Sequence, residues 1–262
     1  MRENWVKQKL RQGSVSIGSW VSMDGVLPAE VMAIAGFDWL VIDMEHGPVS
    51  MEAAQSIIAA IRTTPTVPLV RVGWNESGLI QPALDIGAFG VVVPMVNTRA
   101  QAQQVVRDTR YPPLGERSRG GMRSRLAFGT DAVTYGRRAN DETLVLVQLE
   151  TAEALAHAAA IAALDGIDGL FLGPNDLASS LGCWPPVWDD QPAELAAAIA
   201  RVPVVAHEYG KAAGIMVPTA DVANHCIRLG YEFIALTSDA ALLEQAARRE
   251  LAAVAAVSKA NG

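Results

Sequence analysis

Short apolar runs alternate with amphipathic segments along almost the whole chain, and this alternation constrains the fold more than any other feature. The apolar runs occupy residues 15–21, 39–45, 68–72, 90–96, 143–149, 169–172, 213–217 and 233–236. The helical segments that follow them occupy residues 28–35, 51–62, 78–86, 98–109, 153–164, 193–209, 221–229 and 238–257. Runs such as WLVI at 39–42 are apolar at every position, which is typical of parallel strands covered by helices. Eight strand–helix pairs therefore predict a single-domain (β/α)₈ barrel over residues 1–262.

Two segments stand outside this alternation. Residues 3–12 are amphipathic and predict a short helix ahead of the first strand. Residues 111–140 contain a Pro-Pro pair, several glycines and six arginines, and they predict a long irregular loop with a role in function or partner contact. The structural alternative to a barrel is a doubly wound sheet. That fold requires a glycine-rich phosphate turn after an early strand, and the sequence has no GxGxxG.

The composition argues against several classes of protein. The chain has 21 Lys and Arg against 28 Asp and Glu, a net charge of −7, without a basic cluster, so a nucleic-acid partner is not expected. No run reaches the roughly 18 apolar residues that cross a bilayer, and the amino-terminal residues lack the apolar core of a signal peptide. The two cysteines, Cys183 and Cys226, form no CxxC and suit a reducing compartment. We therefore expect a cytoplasmic protein with no membrane partner.

Ionisable and polar residues collect where four of the predicted strands end. They are Asp43, Glu45 and His46 after the second strand, Arg71 in the third, Gln148 and Glu150 at the end of the fifth, and Asp176 after the sixth. Because chemistry in a (β/α)₈ barrel lies at the carboxyl ends of the strands, these side chains are expected to converge on one rim. Buried charges at such positions are costly unless they are paired, bind a metal or take part in a reaction.

Each of these residues also has a purely structural interpretation. Glu150 could be a solvated loop residue, and Asp176 could cap a helix beginning at Leu177. Together, two carboxylates on neighbouring strands suit a hard divalent cation such as Mg²⁺. His46 alone is typical of a loop histidine, but an adjacent carboxylate can fix its tautomer and raise its basicity. Arg71 fits either a surface ion pair or a guanidinium that binds a carboxylate or an enolate.

Six stretches of the chain resemble one known family. They are DMEHGP at 43–48, PLVRV at 68–72, GVVVPMV at 90–96, YPPLGERS at 111–118, VQLET at 147–151 and GLFLGPNDLASSLG at 169–182. In this order they resemble the HpcH/HpaI aldolases, which are class II, metal-dependent pyruvate aldolases with a (β/α)₈ barrel. The resemblance covers nearly the whole chain.

The resemblance implies the reversible cleavage of a 4-hydroxy-2-oxo acid into pyruvate, or a related 2-oxo acid, and an aldehyde. It implies a divalent metal, Mg²⁺, Mn²⁺ or Co²⁺, and assembly as a homo-hexamer built as a trimer of dimers. The resemblance makes Glu150 and Asp176 the metal ligands, and His46, supported by Asp43, the acid/base residue. It implies that Arg71 binds the pyruvate oxygens and stabilises the enolate. The residues implied to line the pyruvate end are Gln148, Gly173, Pro174 and Asn175. The amino-terminal and carboxy-terminal helices are expected at subunit contacts.

Two loops depart from the family pattern, and two other functions remain open. The arginine-rich loop Arg117–Arg125 and the loop at 182–192, which contains CWPPVW, are expected to bear on the aldehyde end. One alternative function is a CoA-ester lyase of the malyl-CoA or citrate lyase β type, for which the arginines would supply a basic surface. The other is a non-catalytic barrel that binds oxo acids.

Overall fold

Each of the eight apolar runs forms a strand, and the strands pair in parallel in chain order until the eighth meets the first. The computed structural model describes residues 1–186 and 188–260. Its strands are β1 (Ser16–Val21), β2 (Trp39–Asp43), β3 (Val67–Arg71), β4 (Gly90–Val93), β5 (Leu144–Leu149), β6 (Gly169–Leu172), β7 (Ala212–Val217) and β8 (Phe233–Ser238). The (β/α)₈ barrel that the alternation predicts is confirmed.

The helices surround the strands as the alternation requires. They are α1 (Trp5–Arg11), α2 (Val26–Ile34), α3 (Met51–Ile61), α4 (Ser77–Asp85), α5 (Arg99–Thr109), α6 (Met122–Ala127), α7 (Ala132–Glu142), α8 (Ala152–Ala162), α9 (Pro174–Ser180), α10 (Ala193–Glu208), α11 (Ala220–Arg228) and α12 (Asp239–Ala260). Within the described ranges, none of these helices is long and apolar enough to cross a membrane.

The prediction of an irregular loop at 111–140 is wrong for half of its length, because α6 and α7 lie there. Asp131 begins α7: its carboxylate accepts hydrogen bonds from the backbone N–H groups of Val133 and Thr134. The strand predicted to reach residue 96 ends at Val93, since Pro94 has no N–H to give to the sheet.

Large aromatic side chains fill the inside of the barrel and form the floor of its carboxyl-terminal end. Trp39 stacks on Phe233 with ring centroids 3.7 Å apart, and Gly18 on the neighbouring strand makes the space, because a Cβ there would overlap the indole ring. Phe171 lies above this pair, and its ring centroid is 6.0 Å from that of Phe233 and 5.9 Å from that of Trp20. The barrel is therefore a packed core, open to a ligand only at its ends.

Helix α1 covers the amino-terminal end of the barrel. The Asn4 side chain donates to the carbonyl oxygens of Phe89 and Glu142, both at 3.0 Å, and the Lys7 ammonium donates to the carbonyl of Thr143 at 2.6 Å. Val6 and Leu10 are buried with the interior aromatics. The polar contacts satisfy backbone groups at the strand starts, so α1 is a fixed part of its own barrel.

Candidate active site

The predicted site residues, although they come from four strands, line a single cavity of about 230 Å³ at the carboxyl-terminal end of the barrel. They are Asp43, His46, Arg71, Gln148, Glu150, Gly173, Pro174, Asn175 and Asp176. The convergence follows from the topology, because parallel strands of a barrel present all their carboxyl ends to one rim.

An ion pair between Asp43 and Arg71 joins strands β2 and β3 at this rim. The two residues are direct partners in the strand register. The Arg71 Nε donates to Asp43 Oδ1 at 2.8 Å, and its Nη2 donates to Oδ2 at 2.6 Å. Burial by itself raises the pKa of Asp43, but the bonds from Arg71 outweigh it and hold the pKa below its usual value. Such a bidentate pair fixes the guanidinium plane.

Two further contacts hold Arg71 in place. Its Nη1 lies 3.0 Å from Glu45 Oε2, and its guanidinium carbon lies 4.4 Å from the centre of the Trp20 ring. Burial raises the pKa of Glu45, and the charge of Arg71 opposes that rise. Burial acts to lower the pKa of Arg71, whereas Asp43, Glu45 and Glu150 raise it, and the net direction is upward. Arg71 is therefore a permanent positive charge in the cavity.

The turn after β2 places His46 beside this pair. Asp43 Oδ1 accepts the backbone N–H groups of Glu45 at 3.1 Å and of His46 at 3.3 Å. Gly47 follows because a Cβ there would lie 2.5 Å from the Asp43 carbonyl oxygen. The sequence predicts that Asp43 supports His46. The contact is made with the backbone of His46, and the carboxylate nearer to the ring is Glu45, at 3.9 Å from Nε2.

Glu150 is a buried carboxylate held by neutral donors. Its Oε2 accepts the Met95 backbone N–H at 2.9 Å, and its Oε1 accepts the Gln148 amide at 2.8 Å. Burial raises the pKa of Glu150 to about 7, and the charges of Glu45 and Asp176 act in the same direction. Met95 donates from a left-handed conformation, with φ of 53°, which is costly for a residue with a side chain.

Asp176 lies in the first turn of α9, close enough for its charge to act on Glu150 and Glu45. The helix begins at Pro174, ahead of the Leu177 start considered above, and its N-cap position is Gly173. The Asp176 carboxylate is exposed at the cavity and is not a cap. A Cβ at residue 173 would lie 2.5 Å from Glu150 Oε1, so glycine is required for this approach of the two strand ends.

The donor set fits a hard divalent cation. Glu150 and Asp176 offer carboxylate oxygens, and Gln148 Oε1 is buried in the cavity without a hydrogen-bond partner among the described residues. The same part of the chain has no group of three or more His, Cys, Asp and Glu side chains arranged for a metal. Two carboxylates with the remaining positions left to water and substrate oxygens are a common arrangement for Mg²⁺.

Sequence reasoning missed the aromatic and anchoring residues of the site. Trp20 and Phe171 form the cavity floor. Asp239 accepts bonds from the Ser22 hydroxyl and backbone N–H and from the Met23 backbone N–H, which fixes the loop after β1. A search limited to ionisable residues at strand ends could not find Trp20, although a tryptophan one residue before the end of a barrel strand is a usable signal.

The two loops that depart from the family pattern lie in different places. Pro186 and Trp188 of the loop at 182–192 lie beside the cavity rim. Within one chain, the arginine-rich loop packs elsewhere: buried Arg117 pairs with Asp85 at 2.7 Å, at the end of α4 that leads into the start of β4. The expectation that this loop reaches the aldehyde end is not met within the chain. Arg117 is likewise not free to bind CoA phosphates.

Comparison with known proteins identifies the family. The model of the HpcH/HpaI aldolase/citrate lyase family matches residues 16–246. The chain belongs to this family. A 4-hydroxy-2-oxo-heptane-1,7-dioate aldolase of Escherichia coli is 38% identical over 245 residues, which are 94% of this chain and 92% of the relative. The prediction of an aldolase of this family is confirmed.

Solved structures agree with the fold. A family protein from Burkholderia cenocepacia J2315 superposes with a TM-score of 0.90 and 36% identity, over 96% of this chain and 99% of that one. The citrate lyase beta subunit of M. tuberculosis, complexed with oxaloacetate and magnesium, superposes with a TM-score of 0.60 over 89% and 95% of the two chains. At 17% identity this second likeness shows the fold alone. Membership of an aldolase family also favours an enzyme over a non-catalytic barrel.

Proposed function

We propose that this aldolase cleaves a 4-hydroxy-2-oxo acid reversibly into pyruvate, or a related 2-oxo acid, and an aldehyde, with the help of a divalent metal. The observation that carries the proposal is the meeting of Glu150 and Asp176 with Arg71 and His46 in one cavity. Two carboxylates for a cation, a fixed guanidinium and an imidazole are the groups that this reaction needs.

Glu150 and Asp176 would hold Mg²⁺, Mn²⁺ or Co²⁺. The cation would supply Lewis acidity next to the carboxylate and keto oxygens of the oxo acid. A cation would also place an opposite charge directly on the buried Glu150 carboxylate, whose hydrogen-bond donors, Met95 and Gln148, are neutral. Gln148, Gly173, Pro174 and Asn175 would line the pyruvate end of the cavity.

Arg71 would bind the oxygens of the oxo acid and stabilise the negative charge that develops there. Asp43 takes up two of its N–H groups in a fixed geometry, so the positive charge is in position before the substrate binds. Electrostatic stabilisation of this kind is effective because the surrounding groups need no rearrangement as the charge forms.

His46 would act as the acid/base residue. In cleavage, the imidazole takes the proton of the C4 hydroxyl, the C3–C4 bond breaks, and its electron pair moves onto C3 to give the enolate. The C4 oxygen becomes the aldehyde carbonyl, and a proton added at C3 completes pyruvate. The His46 side chain is 62% exposed, so it can reach a substrate and exchange protons with water.

We also propose a homo-oligomer, with α12 at a subunit contact. Leu243, Leu251 and Val254 on this helix are more than half exposed, and Leu27, Val31 and Ile34 form an exposed stripe along the adjacent α2. Apolar surface of this kind on two neighbouring helices is typical of an interface. The predicted hexamer can be checked by light scattering on the purified protein. The subunit contact predicted for α1 stays a prediction; Asn4 and Lys7 at this helix also bond to backbone groups of its own barrel.

The test is pyruvate release from 4-hydroxy-2-oxo acids, coupled to lactate dehydrogenase, before and after treatment with EDTA. We expect release in the presence of Mg²⁺ or Mn²⁺, loss with EDTA, and recovery when metal is restored. Release that EDTA leaves unchanged contradicts the metal assignment. His46→Ala should lose cleavage while it retains metal binding by calorimetry, and a normal cleavage rate in this variant contradicts its role.

A further inference from the structure

A second, smaller cavity opens beside the catalytic cavity. Its volume is about 130 Å³. Pro174, Asn175 and Met216 line both cavities, so the two share a wall. The remaining described lining residues are Pro186, Trp188, Val217, Pro218 and Thr237. We call this space the side cavity. It lies between Pro186 and Trp188 on one side and the ends of β7 and β8 on the other.

The two cavities differ in charge. The catalytic cavity contains Asp43, His46, Arg71, Glu150 and Asp176, whereas no ionisable side chain is among the described residues that line the side cavity. An ionised group placed in the side cavity would lose water and find no opposite charge. An apolar group would instead exchange water for contacts with proline, tryptophan, methionine and valine side chains.

We propose that the side cavity binds the substituent of the acceptor aldehyde and selects substituents that are uncharged and apolar. This inference rests on the function proposed above and names the substrate class of the same site. A protein cavity of roughly 150 Å³ lined by apolar side chains holds benzene. The side cavity is similar in volume, so its upper limit is close to a phenyl or a branched four-carbon group.

The order of atoms in the substrate supports this placement. In the addition direction, C3 of pyruvate forms the bond to the aldehyde carbon, and the aldehyde oxygen takes up the proton that His46 gives. The substituent of the aldehyde is then attached at C4, on the far side from the oxo-acid oxygens. With the oxo acid held by Arg71 and by the cation that Glu150 and Asp176 would bind, the substituent can extend past Pro174 and Met216, which line both cavities.

The inference predicts that this chain prefers a different aldehyde from the one that corresponds to the names of its dioate aldolase relatives. Cleavage of 4-hydroxy-2-oxo-heptane-1,7-dioate, the compound in the name of the Escherichia coli relative, gives an aldehyde that ends in a carboxylate. The side cavity has no Lys, Arg or His among its described lining residues to bind that carboxylate.

Trp188 offers a direct test, and Trp184 is its matched control. Trp188 lines the side cavity and is half-buried, whereas Trp184 lies in the same loop, is 65% exposed and is not among the lining residues. The experiment measures kcat/KM for addition of pyruvate to acetaldehyde, isovaleraldehyde, benzaldehyde and succinic semialdehyde. The protein is used with Mg²⁺ or Mn²⁺ bound. Acetaldehyde is the reference, because its methyl group is too small to fill the side cavity.

We expect isovaleraldehyde and benzaldehyde to be favoured over succinic semialdehyde by about 10-fold or more. Trp188→Ala should lower kcat/KM for the two larger apolar aldehydes by about 10-fold and leave acetaldehyde unchanged, while Trp184→Ala should change none of them. Trp188→Phe, which keeps an aromatic wall, should retain the preference, and Trp188→Arg should shift it toward succinic semialdehyde. Thermal unfolding of each variant shows that the loop change leaves the barrel folded.

Two outcomes would overturn the inference while the proposed function stands. One is a preference of the unsubstituted protein for succinic semialdehyde. The other is an equal loss for all aldehydes, acetaldehyde included, in Trp188→Ala. A protein that forms no product with any of the four aldehydes and releases no pyruvate from hydroxylated oxo acids would overturn the proposed function, and this inference with it.

Discussion

The two ends of the barrel both bury ionisable side chains, but these side chains differ in the partners that surround them. At the amino-terminal end, Asp168 lies 3.0 Å from the Lys7 ammonium and 3.0 Å from the Arg110 guanidinium. The two cations also donate to backbone carbonyls, among them those of Thr143 and Gly166. Asp168 in turn accepts the backbone N–H of Val145 at 2.9 Å. Each charge in this cluster has an opposite charge and further hydrogen bonds.

At the carboxyl-terminal end Asp43 and Glu45 have Arg71 as their opposite charge, whereas Glu150 makes no ion pair among the described residues. The hydrogen-bond donors of Glu150 are neutral, and Gln148 Oε1 has no partner among the described residues. A cluster whose polar groups all have hydrogen-bond or ion-pair partners stabilises the fold. A cluster with carboxylate and amide oxygens that lack such partners is stabilised when a ligand binds to them. The contrast supports the proposal that the first end stabilises the fold and the second carries the chemistry.

The largest effect should come from removing the negative charge of Glu150. Glu150→Gln keeps the shape of the side chain and can still accept the Met95 N–H, but it loses the charge that a cation requires. Several kcal/mol of charge stabilisation would be lost, so we expect kcat/KM for pyruvate release to fall by about 10³-fold or more. Because the variant no longer buries an unbalanced carboxylate, its unfolding temperature should be unchanged or higher. Near-normal activity, or a large loss of stability, would show that Glu150 is structural.

The matching change at the other end is Asp168→Asn. It leaves the Lys7 and Arg110 charges buried without an opposite charge. Removing one partner of a buried ion pair costs about 3–5 kcal/mol, so denaturant unfolding should show a loss of stability of that size. Activity per folded molecule at low temperature should stay within about twofold. A variant that is stable but inactive would break the division between the two ends.

The fold was readable from the sequence because its signals are local, whereas the pairing of charges was not. Eight apolar runs and eight helical segments suffice to predict the barrel, and the position of Asp43, Glu150 and Asp176 at strand ends suffices to predict a common rim. Which groups bond depends on register between strands. Asp43 is three residues from His46, yet its carboxylate pairs with Arg71, 28 residues away, because β2 and β3 place them side by side.

Charge pairing at the amino-terminal end likewise depends on residues that are distant in the sequence. Lys7 and Asp168 are distant in the chain, and no motif connects them; only the packing of α1 across the strand starts brings them together. In the region 111–140 the arginines and glycines predict a loop, although Asp131, ahead of Val133 and Thr134, is a recognisable helix start.

Burial lowers the pKa of Lys7 to about 8, against the attraction of Asp168, and this gives the amino-terminal end a pH signature. Below pH 8 the folded and unfolded chains both carry the charged lysine. Between about pH 8 and 10.5 the folded chain has released this proton and the unfolded chain still holds it, so the free energy of unfolding rises with pH. The difference between the two pKa values is worth about 3 kcal/mol.

The measurement is urea unfolding of the protein and of Lys7→Met at several pH values from 7 to 10.5. We expect the protein to gain stability relative to Lys7→Met as the pH rises through this window, up to about 3 kcal/mol. Groups that titrate elsewhere contribute equally to both proteins and cancel in the comparison. A difference that is independent of pH would mean that Lys7 is not desolvated as its position indicates, and pyruvate release should be insensitive to the substitution.

The smallest effect tests how far the two ends differ along a single strand. Asp43 ends β2 and holds Arg71 with two bonds, while Asp38, just before the same strand, pairs with Lys9 at 2.8 Å on the partly exposed amino-terminal side. Asp43→Asn keeps an oxygen for the backbone N–H groups of the following turn but loses the charge that fixes the guanidinium.

Loss of such a supporting contact costs about 10–100-fold in activity or ligand affinity. We expect it mainly as a higher KM for the oxo acid, because Arg71 remains present but less well oriented. Asp38→Asn is the control: a surface pair contributes about 0–1 kcal/mol, so KM should not change. Equal effects of the two substitutions would mean that Asp43 acts through the stability of β2 and that Arg71 does not depend on it for its position.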